Sequence, residues 1–216
     1  MRYLIALILP GLLVLVGLQA FSKTNTSTRA QSSWEDDSCG FVQNIYNKRL
    51  SWQGNLPIKL YVHESMPEQM MPALERAIAT WDKSMGRKMF EIVKTHKDGG
   101  KDINAFKDGT NSVYWYTKGE WKGEKDDQAK TVISWVGNQI RQANILINAD
   151  TIKFYSEVAT GVNQVDLESV LLHELGHVLG LKHNDKRPGI MATYLKENSE
   201  RRKILTADLD SVRCEY

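Results

Sequence analysis

The chain has 216 residues, of which 42% are hydrophobic and 25% charged, and its formal net charge at pH 7 is +2. This length and composition fit one folded domain with a substantial core and exclude general disorder. A charge so close to neutral favours neither a nucleic acid nor an anionic membrane surface as a partner. Two cysteines are too few for a cysteine-rich metal module, so any metal would be bound mainly by the five histidines and the carboxylates.

The first twenty residues have the composition of a secretory signal peptide. Arg2 precedes an almost unbroken apolar stretch over residues 3–18, and Leu18-Gln19-Ala20 resembles a cleavage site with small residues. The alternatives are an uncleaved membrane anchor and a buried core helix, because the stretch approaches the roughly 18 residues that a membrane span needs. The Pro10-Gly11 pair favours removal. We therefore expect a signal peptide over residues 1–20 and a secreted protein, either extracellular or periplasmic.

A polar segment separates this leader from the folded part of the chain. Residues 22–33 contain no aliphatic side chain larger than alanine, which is typical of a flexible tether, and we place the tether at residues 21–38. The folded domain is then expected over residues 39–216. We expect a monomer without stable membrane association once the leader has been cleaved.

Strand and helix patterns alternate along this domain. Residues 57–63 alternate apolar and polar side chains, which predicts a strand. Ser65-Met66-Pro67-Glu68 has the form of a capping box and predicts a helix, the start of which Pro72 leaves undefined by about a turn because an interior proline removes a hydrogen bond. Apolar residues at helical spacing indicate that helix: Met70, Leu74, Ile78, Trp81 and Met85. Further strands are predicted over residues 89–93, 112–117 and 131–148, the last as two strands that meet around Gly137-Asn138.

A polar loop over residues 94–111 offers one possible site for a hard cation. Clustered oxygen ligands are what calcium requires, so a structural calcium ion is one interpretation. A solvated loop is the alternative, because lysines interleave with the acids and the spacing fits no EF-hand. The candidate ligands are Asp98, Asp102, Asn104 and Asp108.

The segment over residues 173–183 carries the most specific motif in the chain. It places three of the five histidines within eleven residues, in the order His-Glu-x-x-His-x-x-Gly-x-x-His. A shuffled chain of the same composition would contain this pattern in roughly one case in 10⁵. The alternative to a metal site is a set of three unrelated surface histidines on an ordinary helix.

Helix geometry explains the first half of this motif. Asp166 is expected as the N-cap, and the apolar residues after it form one face of a half-buried helix. His173 and His177 are four residues apart, so they lie together beside that face and can bind one metal ion. The apolar face consists of Leu167, Val170, Leu171, Leu175, Val178 and Leu179.

The second half of the motif predicts a catalytic metal site. Glu174 projects toward the apolar side, where an ionised carboxylate is costly unless water on a metal or another polar group contacts it. Gly180 permits the left-handed conformation that ends a helix and turns His183 back as a third ligand. Three neutral imidazoles on zinc leave one position open to water, which is the arrangement of a catalytic site.

The extended motif resembles that of the metzincin zinc endopeptidases, whose further hallmark is a methionine turn beneath the metal. Gly189-Ile190-Met191-Ala192 resembles that turn, with Met191 eight residues after His183. Within this clan the chain is most similar to the matrixins, over about residues 57–216. The resemblance implies an α+β fold of the zincin/metzincin type. Its elements would be a twisted, mostly parallel sheet, a long N-terminal helix, a zinc-binding active-site helix and a C-terminal helix.

The same resemblance implies hydrolysis of internal peptide bonds in a protein or peptide substrate. One catalytic zinc ion would be bound by the three histidines, with Glu174 as general base and with Gly180 and Met191 supporting the site. The substrate would pair with an exposed strand edge within residues 131–138. Residues 191–195 would form part of the wall of a specificity pocket.

Two departures from the family pattern concern the subfamily. Asn184-Asp185 follows the third histidine, where matrixins usually have serine or threonine and reprolysins have aspartate. Thr193 occupies the place of the tyrosine that astacins and serralysins use, and Tyr194 follows it. Two alternative functions remain open, namely a secreted zinc-containing binding module without turnover and a zinc exopeptidase.

The two cysteines admit two interpretations. In an oxidising compartment, a disulfide between Cys39 and Cys214 would close a long loop and stabilise the fold by roughly 2 to 5 kcal/mol. Alternatively, Cys39 could bind the metal, as a cysteine ahead of the catalytic domain does in some zinc proteases. The surrounding residues, Asp37-Ser38-Cys39-Gly40-Phe41, lack the fuller motif of such a segment, which favours the disulfide.

Overall fold

The computed structural model describes residues 7–8, 38–96 and 109–216. The predicted signal peptide and tether lie outside these residues, apart from residues 7–8 and Ser38. The strands are β1 (Leu7–Ile8), β2 (Ile58–His63), β3 (Phe90–His96), β4 (Ser112–Tyr116), β5 (Ala129–Val136), β6 (Gln139–Asn148), β7 (Lys153–Tyr155) and β8 (Gln164–Asp166). The helices are α1 (Met71–Met85), α2 (Leu167–Leu179) and α3 (Thr206–Arg213), with a 3₁₀ turn (Glu68–Met70) before α1.

The main sheet is mostly parallel, as the resemblance implied. Its strand order is β1-β5-β6-β4-β2-β3, and β7 pairs with β8 separately. Every neighbouring pair in the main sheet is parallel except β5 and β6, which are antiparallel. The turn between β5 and β6 contains Gly137 at φ 64°, so the prediction of two strands meeting at this point is confirmed. Helix α2 packs against both strands of this hairpin.

Helix α1 packs against α2 and carries an apolar stripe that ends at Trp81. The Trp81 indole Nε1 donates a hydrogen bond to the Leu172 carbonyl at 3.1 Å, so the two helices are joined by a polar contact inside the core. Helix α1 begins at Met71, with Pro72 in its first turn, where a missing N–H costs nothing. Buried α1 residues are Ala73, Leu74, Ala77, Ile78 and Trp81.

The capping box predicted ahead of α1 is wrong. Pro67 precedes the 3₁₀ turn with no side-chain cap, and α1 itself starts without one. The Ser65 hydroxyl instead accepts a hydrogen bond from the Trp115 backbone N–H at 3.1 Å and contacts His63 Nδ1 at 2.9 Å. A tertiary contact to the neighbouring strand has therefore replaced the local cap.

A disulfide joins Cys39 and Cys214, whose Cα atoms lie 6.3 Å apart across 175 residues of sequence. The predicted pairing is confirmed, and with its sulfur in this bond Cys39 offers no thiolate to a metal. The same region is fixed by Glu215, which accepts from Arg49 at 3.1 Å and from Ser51 at 2.6 Å. Within the described ranges, none of the helices combines the length and the apolar character needed to cross a membrane.

Candidate metal centre

Helix α2 carries two of the three motif histidines and is buried on all sides. The Asp166 carboxylate accepts from the Ser169 backbone N–H at 3.0 Å, which confirms the predicted N-cap. Every residue of α2 is buried, whereas the apolar pattern predicted a half-buried helix. Distant segments cover its second face: Trp52 donates to the Val178 carbonyl at 2.8 Å, and the Arg201 backbone N–H donates to the Ser169 hydroxyl at 2.6 Å. The histidines therefore lie in a region of low dielectric constant.

Gly180 ends α2 in the left-handed conformation that the sequence predicted, with φ 103° and ψ 5°. Its backbone N–H donates to the His177 carbonyl at 2.9 Å. A Cβ atom at this position would lie only 2.3 Å from the Leu50 carbonyl oxygen. Glycine is thus required both by the backbone angle and by the close approach of a second chain segment.

The three motif histidines converge on one point. His183 Nε2 lies 3.1 Å from His173 Nε2 and 3.1 Å from His177 Nε2. The opposite nitrogens are held by backbone carbonyls: His173 Nδ1 contacts Ile190 O at 2.7 Å, and His177 Nδ1 contacts Leu181 O at 2.8 Å. A ring that donates from Nδ1 to a carbonyl presents an Nε2 lone pair, which is the form a metal ion binds.

Burial lowers the pKa of all three imidazoles. The pKa of His173 lies well below its usual 6.5, because of burial first and then the charges of the other two rings. Burial and the His183 charge lower the pKa of His177 to about 3. Burial also lowers the pKa of His183, although the Asp185 carboxylate opposes this change. All three rings are therefore neutral near pH 7.

The donor set fits a zinc ion. Zn–N bonds of about 2.0 to 2.1 Å in a tetrahedral site place neighbouring nitrogens about 3.3 to 3.4 Å apart, close to the separations between these Nε2 atoms. Among residues 38–96 and 109–216, this is the one group of three or more histidine, cysteine or carboxylate ligands that lie close enough to share an ion. The four candidate calcium ligands belong to residues 97–108, outside the described residues, and nothing in the described part supports calcium.

Glu174 is buried beside these histidines, with 1% of its surface exposed. The Thr131 hydroxyl donates to its Oε2 at 2.5 Å, whereas its Oε1 has no hydrogen-bond partner among the described residues. Burial raises the pKa of Glu174 to about 8, and the hydrogen bond from Thr131 opposes that rise. A buried carboxylate oxygen without a donor indicates that a polar group from another molecule, such as water, completes its hydrogen bonding.

The predicted methionine turn lies directly against α2. A Cβ atom on Gly176 would lie 2.3 Å from Met191 Sδ, so the sulfur occupies the space that only glycine leaves on the helix. The Ile190 carbonyl in the same turn holds His173. Gly176 occupies a position that the motif leaves unspecified, and no role was predicted for it.

Asp208 of α3 fixes the methionine turn from the other side. Its carboxylate accepts from the Ile190 backbone N–H at 3.1 Å and from the Leu205 backbone N–H at 3.0 Å. Burial raises the pKa of Asp208, and these backbone hydrogen bonds oppose the rise. A Cβ atom on Gly189 would lie 2.4 Å from an Asp208 oxygen, so the turn and the helix fit together closely. Asp208 was not among the predicted site residues.

Comparison with known protein families agrees with this geometry. A family model described as Matrixin matches residues 56–216. The chain belongs to the matrixin family. Matrixins are zinc metallopeptidases, so the family accounts for a zinc-binding triad and implies a protein or peptide as substrate. A comparison with curated proteins found no match to the chain.

Asp185 and Thr193, the residues at the two positions that concern the subfamily, contact each other. The Asp185 carboxylate accepts from the Thr193 backbone N–H at 2.7 Å and from the Thr193 hydroxyl at 2.7 Å. Arg201 donates to the Ala192 carbonyl at 2.9 Å and also to the Tyr194 carbonyl. The segment after the methionine turn is therefore fixed by one anion and one cation. Tyr194 in the same segment is 48% exposed.

A cavity of about 1010 Å³ lies beside this segment of the matrixin. Thr193 and Tyr194, from the segment 191–195, line it. The remaining lining residues come from the β4–β5 connection, from the chain between β6 and α2, and from the chain between the third histidine and α3: Asp126, Thr151, Ile152, Lys153, Val162, Asn163, Asp185 and Glu197.

The strand edge expected to receive substrate belongs to β5. Thr131 lies on this strand and faces Glu174, so the edge passes directly beside the candidate site. At Val132 and Ile133 the same edge pairs with β1, in the parallel direction. No strand was predicted at Leu7–Ile8, because these residues fall within the predicted signal peptide.

Proposed function

We propose that this matrixin is an exported, zinc-dependent endopeptidase that cleaves internal peptide bonds. The observation that carries the proposal is the convergence of three neutral imidazole nitrogens beside a buried carboxylate, one oxygen of which has no donor among the described residues. A structural zinc site has four protein ligands, whereas this group has three and a neighbouring acid. Such an arrangement is suited to activating water.

His173, His177 and His183 would bind the metal through their Nε2 atoms. The Ile190 and Leu181 carbonyls orient two of the rings through Nδ1, so these ligands need little rearrangement. When bound, zinc would act as a Lewis acid that polarises a carbonyl and lowers the pKa of a bound water from about 15.7 to about 7.

Glu174 is the general base in this proposal. Its Oε1 accepts a proton from the attacking water and then delivers that proton to the nitrogen of the departing amine. Burial raises the pKa of Glu174 to about 8 in the metal-free protein, and a bound divalent ion would lower it again, so that the carboxylate could bind and release a proton close to neutral pH. Thr131 holds the other oxygen, so the accepting atom does not rotate away.

Removal of the predicted signal peptide would take β1 away from β5 and leave that edge of β5 free. The substrate would lie along this edge and pair through its backbone, in the manner of strand addition. Its side chain beyond the scissile bond would enter the cavity bordered by Thr193 and Tyr194. Backbone pairing distinguishes side chains poorly, so the lining of this cavity would determine which peptides are cleaved.

Export is part of the proposal. The apolar stretch at the N-terminus predicts a signal peptide, and the disulfide between Cys39 and Cys214 supports an oxidising compartment.

The test is cleavage of a peptide blocked at both ends by the zinc-loaded protein, with and without a chelator. We expect internal cleavage that the chelator abolishes and that zinc restores. Glu174→Ala should keep its zinc and its fold while kcat falls by at least about a hundredfold. Zinc-dependent trimming of the same peptide with free ends, without cleavage of the blocked form, would indicate an exopeptidase. Tight peptide binding without cleavage would indicate a binding module, and either result would refute the proposal.

A further inference from the structure

Among the described residues, Thr131 makes the one side-chain hydrogen bond to the Glu174 carboxylate, and both residues are 1% exposed. Its hydroxyl oxygen lies 2.5 Å from Glu174 Oε2 and 3.3 Å from the Glu174 backbone carbonyl. A hydroxyl has one proton, and a carboxylate oxygen at the shorter distance is the stronger acceptor. The proton of Thr131 is therefore directed at Oε2.

The backbone of Thr131 is fixed before any ligand arrives. Strand β5 pairs with β6 through this residue, opposite Ile145. Threonine is β-branched, so its χ1 angle is restricted, and the hydroxyl is held in place by the strand and its own side chain. A donor that does not need to reorganise is what an active site requires for precise placement of a charged group.

We propose that Thr131 is a positioning residue for the reaction: by holding Glu174 Oε2, it turns Oε1 toward the attacking water. The inference rests on the proposed function, since it concerns the base of that reaction. Three observations carry it, namely the short contact at Oε2, the lack of a donor at Oε1 among the described residues, and the rigid strand that carries the hydroxyl. This role could not be predicted from the sequence, because Thr131 lies 43 positions before Glu174.

A purely structural role is the competing explanation. In that case Thr131 would only join β5 to α2, and its removal would weaken the fold whether or not Glu174 carried a carboxylate. The two explanations differ in how the effects of Thr131 and Glu174 combine, which a double-mutant cycle measures.

The first experiment compares kinetic constants of zinc-loaded variants with a blocked peptide substrate. Thr131→Val has nearly the same shape and suits a strand, so it should fold, bind zinc stoichiometrically and keep KM within about twofold, while kcat falls about tenfold to a hundredfold. Thr131→Ser restores the hydroxyl and should recover kcat to within about threefold of the original chain. In the Glu174→Ala background, Thr131→Val should lower kcat no further.

The matched control is Thr117→Val. Thr117 also has its hydroxyl near a glutamate, 3.5 Å from Glu120 Oε2, but at the end of β4 rather than beside the histidines. This variant should leave both kcat and KM unchanged. The inference is overturned if Thr131→Val keeps full kcat, if the serine variant recovers nothing, or if the valine variant changes KM instead of kcat.

A second readout does not depend on activity. In urea unfolding of the metal-free protein, Thr131→Val should lower the midpoint when Glu174 is present and should have much less effect in the Glu174→Ala background. An equal decrease in both backgrounds would establish the purely structural role and overturn the inference. If the original chain cleaves no peptide, the proposed function fails, and this cycle still decides whether Thr131 holds the carboxylate.

Discussion

Replacing Gly180 by alanine tests how the end of α2 delivers the third histidine. Two costs add at this position. An alanine in the left-handed region costs about 1 to 2 kcal/mol. The new Cβ would also lie 2.3 Å from the Leu50 carbonyl oxygen, well below the 3.0 Å that such contacts keep, so backbone must move. Overpacking of this kind costs about 1 to 3 kcal/mol, which gives a total loss of unfolding free energy of about 2 to 5 kcal/mol.

Gly86→Ala separates the two costs. Gly86 ends α1 at φ 67°, also left-handed, but a Cβ there would meet no atom within 4 Å. We expect this control to lose only the conformational part, about 1 to 2 kcal/mol. The difference between the two variants then measures the clash with Leu50.

The assay is urea unfolding of both variants without metal, followed by zinc competition against a chelator. His183 lies three residues after Gly180, so a displaced turn should weaken zinc binding by about tenfold or more. Gly86→Ala should leave zinc affinity unchanged. Equal destabilisation by the two variants, or unchanged zinc affinity in Gly180→Ala, would refute the reasoning.

The remaining predictions concern the metal, pH and the disulfide. His177→Ala should abolish stoichiometric zinc binding because two imidazoles remain, and metal analysis that still finds one tightly bound ion would contradict the ligand set. In the metal-free protein, unfolding free energy should fall as pH decreases from about 6.5 toward 3, because unfolded His177 binds protons over this range whereas the folded ring, with a pKa of about 3, does not. Urea midpoints of the original chain and of His177→Phe across that range check this, and the variant should show a shallower decrease. Replacing Cys39 and Cys214 by serine should cost roughly 2 to 5 kcal/mol in urea unfolding, and no loss would mean that the bond constrains the unfolded chain little.

Sequence patterns predicted those parts of the fold that depend on local spacing. The paired strands around Gly137, the N-cap at Asp166 and the left-handed end of α2 at Gly180 all follow from residues close together in the chain. The convergence of His173, His177 and His183 also followed, because one helix and one turn bring them together.

The missed residues act across long sequence separations. Thr131 contacts Glu174 from a strand, and Asp208 fixes the methionine turn from α3. Neither contact leaves a periodic signal. Gly176 did offer a sequence signal of another kind. A glycine inside a buried helix costs about 1 kcal/mol relative to alanine and therefore suggests a close approach, here by Met191.

Both departures from the local predictions have a tertiary cause. Ser65 could have capped the following helix but instead contacts Trp115 and His63, because strand β4 lies within reach. Helix α2 was expected to keep a solvent face, yet residues around Trp52 and Arg201 cover it. In each case a segment distant in sequence supplies a partner that local pattern does not contain.

Complete burial of α2 also explains the charge state of the site. Burial favours the neutral form of every ionisable group, so it lowers the pKa of the three histidines and raises that of Glu174. The metal-free site is therefore close to neutral at pH 7, with imidazole lone pairs ready for a cation. A divalent ion brought next to Glu174 stabilises its ionised form, which lowers its pKa again. Burial thus provides neutral ligands, and metal binding in turn favours the carboxylate that the proposed general base requires.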